Sequence, residues 1–97
     1  MNAQKESFGF NLSTLYRLEK TKRPSASIAV YSELLASMAI QGSRTIECEV
    51  RFLSETLKMG THTVLETLQE LRRMGLLRFI PIKGKGHKRL IELVHEG

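Results

Sequence analysis

The chain has 97 residues, 41% of them hydrophobic, which is enough for one cored domain plus a small terminal element. Its aromatic share is 6% with no tryptophan, which argues against a broad stacking platform for single strands. The net charge is +5 without a single aspartate, and its one cysteine, Cys48, rules out an intramolecular disulfide and fits a reducing cytosol.

The charge is unevenly placed. Residues 1–24 carry five Lys/Arg against two Glu, or +3. Residues 25–70 carry three against six, or −3, and residues 71–97 carry seven against two, or +5. Basic patches of this kind favour phosphate-rich partners.

Residues 1–10 read as a polar arm carrying Phe8 and Phe10, expected to be flexible. A short helix is expected from Asn11 to Lys22, with Leu12, Leu15 and Tyr16 on one greasy side. Arg23-Pro24-Ser25 breaks it, because the residue before proline avoids the helical region. The next helix is expected from Ser27 to Ile40, with Ile28, Tyr31, Leu35, Met38 and Ala39 sharing a face. Gly42 suits its left-handed cap. The apolar run Leu34 to Ile40 is broken by Ser37 and too short to span a bilayer, and no secretory signal opens the chain. A cytoplasmic protein is expected.

Thr45 to Cys48 reads as a short strand that adds to a later hairpin. Glu49 to Lys58 reads as a helix with Val50, Leu53 and Leu57 inward and Phe52 at the flank. Met59-Gly60-Thr61-His62 is the expected turn. Thr63 to Met74 is the following helix, with Val64, Leu68 and Leu71 inward and Gly75 as its stop. Thr63 and Glu66 have capping-box spacing. Two strands then follow, Leu76 to Lys83 and Lys88 to Val94, joined by the basic loop Lys83-Gly84-Lys85-Gly86-His87-Lys88-Arg89.

Chemistry of other kinds has little support. Cys48, His62, His87 and His95 stand singly, without metal-ligand spacing. Glu47 and Glu49 flank Cys48 and are expected to raise its thiol pKa, the opposite of activation. The Gly-Lys-Gly triplet lacks the strand-loop-helix setting of a nucleotide-phosphate loop. No Ser/His/acid order or paired-carboxylate spacing occurs, so no enzyme and no cofactor are expected.

Arg51 to Leu90 resembles the winged helix-turn-helix superfamily, and within it the DNA-binding domain of GntR-type regulators. Phe52-Leu53-Ser54-Glu55-Thr56-Leu57 resembles the first helix of their pair. Thr63-Val64, then Leu68, Leu71 and Gly75-Leu76, resembles their recognition helix and its exit, and Gly84-Lys85-Gly86 resembles the tip of their wing. Upstream, Ala29-Val30-Tyr31-Ser32-Glu33-Leu34-Leu35 resembles the opening helix of phage and plasmid replication-initiator winged helices. Departures are clear. Gly60 and Thr61 stand where those regulators carry Ser-Arg, Lys58 fills a turn slot often held by glycine, and Leu65 fills a slot that is often basic.

The resemblance implies an α+β fold, mainly α. It has a three-helix core, a two- or three-stranded antiparallel wing and an extra N-terminal helix. Residues 1–24 are then an arm and helix available for dimerisation, and residues 25–97 the winged domain. It implies double-stranded DNA binding by a homodimeric transcription regulator. The alternatives are the DNA-binding module of a plasmid or phage replication initiator, cut from a longer chain, and a winged-helix protein-interaction module. The expected DNA contacts are Thr61, His62, Thr63, Glu66 and Gln69 on the helix. Lys83, Lys85, His87, Lys88 and Arg89 add contacts from the wing.

Overall fold

A computed structural model describes residues 12–81 and 88–94. The expected polar arm, the hairpin tip with Lys83, Lys85 and His87, and His95 lie outside the described residues. The described part is mainly helical. Four helices, α1 (Leu12–Glu19), α2 (Pro24–Gln41), α3 (Val50–Leu57) and α4 (Thr61–Arg73), accompany three strands, β1 (Thr45–Glu49), β2 (Leu77–Ile80) and β3 (Lys88–Leu93). The strands form one antiparallel sheet in the order β1-β3-β2. The expected pairing of the Thr45 strand with the hairpin is present, with Ile46 opposite Ile91.

Proline sets the start of α2. Pro24 occupies the first turn, where its missing N–H costs nothing, so the helix begins three residues earlier than Ser27. Gly42 closes it with φ 67°, and the amides of Gly42 and Ser43 donate to Ala39 and Met38. The buried arc of α2 is broader than one stripe: Val30, Tyr31, Leu34, Leu35 and Met38 are all enclosed, while Ala39 is exposed. The reason is its central position, because α1, α3, α4 and β1 all pack against it.

The inward face of α1 differs from the expected one. Leu12 and Tyr16 are 83% and 67% exposed, whereas Thr14 and Leu18 are buried, followed by Thr21 just past the helix. Those three positions follow the i, i+4, i+7 spacing of one helical face. The buried hydroxyl of Thr21 donates to the Leu18 carbonyl at 2.7 Å and lies 2.7 Å from the Ser27 hydroxyl, so neither polar group is stranded. Arg17 ties α1 to the far end of the fold by donating to the Met74 carbonyl at 2.5 Å.

Helix α4 also starts earlier than expected. Its N-cap is Gly60, in an extended conformation, and Val64 donates to the Gly60 carbonyl at 3.0 Å. Thr63 therefore lies inside the first turn, and the Thr63–Glu66 capping box does not form. The inner stripe is as expected: Val64, Leu68 and Leu71 are fully buried. Between α3 and α4, Lys58 takes the left-handed conformation at φ 57°. The Ser54 carbonyl accepts from Met59 at 3.1 Å, and its hydroxyl donates to the Met59 carbonyl. Gly75, at φ 82°, turns the chain from α4 into β2.

Candidate nucleic-acid interface

The first turn of α4 is open to solvent. Thr61 and His62 are exposed, because the buried stripe begins at Val64. Thr63 is half-buried. Beside this turn lies an open cleft of about 680 Å³ bounded by the starts of α3 and α4 and by β3. Thr61, His62 and Arg89, all expected contacts, line it together with Arg51. Val50 and Leu65 supply its apolar surface, and Glu49 is the one carboxylate among the described residues that line it. Lys88 opens β3 opposite Glu49 in the strand ladder.

Arg51 was not among the expected contacts. A usable signal was present in the sequence, because a cation in the first turn of a helix opposes the macrodipole. No acidic residue in the first turn of α3 balances it. The N-cap residue beside it, Glu49, is the nearest acidic residue in sequence and lines the same cleft.

The other side of α4 is occupied from within. Arg23, in the loop between α1 and α2, donates to Glu66 at 2.7 Å. His62 Nε2 lies 3.1 Å from the other Glu66 oxygen, one helical turn away. The hydrogen bond from Arg23, and next the charge of His62, hold the Glu66 carboxyl below its ordinary range. The Lys22 amide donates to Glu70 at 3.2 Å. Glu66 is thus engaged at both oxygens, which leaves it poorly placed to accept from a base and well placed to orient His62. This also explains the failed capping box. Gln69 accepts from Arg72 at 3.1 Å through its carbonyl, and its amide hydrogens stay available. Arg72 also sits 5.3 Å from the centre of the Phe79 ring.

Cys48 is buried. Burial pushes its thiol up to about 11; Arg89 opposes the shift and Glu49 adds to it. The expected direction holds, but burial is its main cause, and of the two flanking glutamates only Glu49 contributes. Thr67 is buried, and its hydroxyl lacks a partner among the described residues. Among those residues no cluster of His, Cys, Asp or Glu is arranged to hold a metal ion. No helix among them is long and apolar enough to cross a membrane.

No protein-family model matches the chain, and no curated protein is significantly similar to it in sequence.

Proposed function

We propose that the chain is a winged helix-turn-helix domain that binds double-stranded DNA with sequence preference, as a dimeric transcription regulator working in the cytoplasm. The observation that carries this reading is the cleft. It joins two hydrogen-bonding side chains at the start of α4, Thr61 and His62, to two arginines, Arg51 and Arg89, from separate elements. Polar groups at a helix start suit base edges in a major groove, and flanking guanidiniums suit phosphates. The order helix, turn, helix, hairpin supports the same reading. The basic hairpin loop supplies further cations for the flanking backbone. Glu66 and Glu70, which would favour a protein-interaction module, are both engaged by the α1–α2 loop. A dimer is supported by Leu12 and Tyr16, exposed one turn apart on α1.

Binding to a random-sequence duplex, measured by fluorescence anisotropy across a salt series, tests the reading. Arg51→Ala with Arg89→Ala is expected to weaken binding and to flatten the log-log salt slope by about 0.9 for each lost phosphate contact. Unchanged affinity and slope would move the contact surface away from the cleft, and absence of binding at low salt would overturn the reading. Sedimentation of Leu12→Glu with Tyr16→Glu checks the dimer, which is expected to dissociate.

A further inference from the structure

Strand β1 lies at an edge of the sheet. Among the described residues it pairs on one side only, with β3. A groove of about 300 Å³ borders this strand and is walled by α2 and α3. Leu34, Ile46 and Leu53 give it an apolar lining, and Phe52, 60% exposed, stands at it. Three carboxylates, Glu33, Glu47 and Glu49, surround it, and among the described residues no lysine or arginine lines it. Glu33 and Glu47 have no ion-pair or hydrogen-bond partner among the described residues.

An open strand edge is a template for another strand, and charge on such an edge decides which strand it accepts. Two copies of β1 are poor partners for each other. Antiparallel pairing centred on Glu47 sets that residue against its own copy, and like charges directly opposite are destabilising. The same carboxylates attract a basic strand.

We propose that the β1 edge and its groove dock an extended basic segment of a partner protein, which adds to the sheet as a fourth strand. Its main chain bonds to β1 at and beyond Glu47, because the Ser43 hydroxyl already engages the amide and carbonyl of Thr45. Alternate side chains fall into the groove beside Phe52, and lysines or arginines pair with Glu33 and Glu47. Main-chain bonds supply affinity in this mode, and the side-chain pockets supply selectivity. The site is independent of the arginine cleft, apart from Glu49, which borders both.

The test uses the full chain, labelled for amide NMR, and three synthetic peptides. One alternates lysine and valine, one alternates glutamate and valine, and the third is the lysine peptide with alternate amides N-methylated. The lysine peptide is expected to shift the amides of Thr45–Glu49 saturably, while the glutamate peptide leaves them unmoved. N-methylation is expected to abolish binding, since it removes ladder donors but no charge. Glu47→Lys with Phe52→Ala is expected to weaken the lysine peptide on the order of tenfold or more, the loss typical of an interface anchor. Both residues are exposed, and a melting curve checks folding. If the variant unfolds, the N-methylated comparison on the unaltered protein still decides. Equal binding of the N-methylated peptide, or shifts confined to residues outside β1 and the groove, would overturn the proposal. So would self-association of the protein that is lost in the same double variant, because the occupant is then a basic segment of a second copy.

Discussion

The two sides of α4 follow different rules. On the inner side, Val64, Leu68 and Leu71 are sealed from water and hold the helix against α2, α3 and the sheet. On the outer side, Thr61 and His62 project from the first turn into an open cleft and carry little of the packing. Substitutions inside are expected to change stability, and substitutions outside to change what is bound. One helix can therefore keep its place while its outer residues vary.

The largest effect is expected from Leu68→Ala. This side chain is fully buried, so its loss is expected to cost about 2–5 kcal/mol, read by denaturant melts. A loss under about 1 kcal/mol would mean that the inner side is not the anchor.

A second interior effect depends on pH. The Cys48 thiol is raised from 9.0 to about 11, so the folded state holds its proton more tightly than the unfolded chain does. The resulting stability is fully present below pH 9 and is lost as pH rises through about 11. At full extent it amounts to roughly 2–3 kcal/mol, at about 1.4 kcal/mol per pKa unit. Melts between pH 8 and 11 are expected to show this loss in the native chain and not in Cys48→Ala, which is less stable at neutral pH but flatter across the range. Parallel curves would assign the alkaline loss to other groups.

On the outer side, Thr61→Ala with His62→Ala is expected to leave the melt within about 0.5 kcal/mol, as for exposed sites without packing roles. Discrimination between a preferred and a scrambled duplex is expected to fall by about 1–3 kcal/mol per lost base contact. Random-duplex binding is expected to change little. Equal loss on both duplexes would reduce these residues to backbone contacts. The smallest effect lies at the joint between α3 and α4. Lys58→Gly relieves a left-handed non-glycine residue and is expected to stabilise the fold by up to about 1 kcal/mol, with duplex binding unchanged.

Much of this architecture is legible in the sequence, and the misreadings have physical causes. The inner stripe of α4 is apolar at regular helical spacing, and Gly42 is a residue for which a left-handed cap is cheap, so both are read correctly. The inward face of α1 is not, because two of its three buried positions are threonines. Their burial depends on local hydroxyl bonds such as Thr21 to Leu18 and Ser27, which an apolar pattern does not register. The start of α4 is misread because the Thr63–Glu66 spacing is local, whereas the Glu66 carboxylate is claimed by Arg23, remote in sequence. Arg51 reads from the sequence as an ordinary polar residue beside an apolar stripe. Its proximity to Arg89, which the sheet brings to the same cleft, is a tertiary fact that the local pattern does not carry.

The bond from Arg17 to the Met74 carbonyl spans 57 residues of chain. On a ribosome adding about 5–20 residues per second, those two ends are made roughly 3–11 seconds apart. Helix α1 is the first described element to emerge and among the last to be locked, since Lys22 and Arg23 also wait for residues of α4. Eight residues are too few for a stable helix on their own in water. The nascent chain can therefore pack Leu18 only against α2 at first, and the ties that fix α1 to α4 close last.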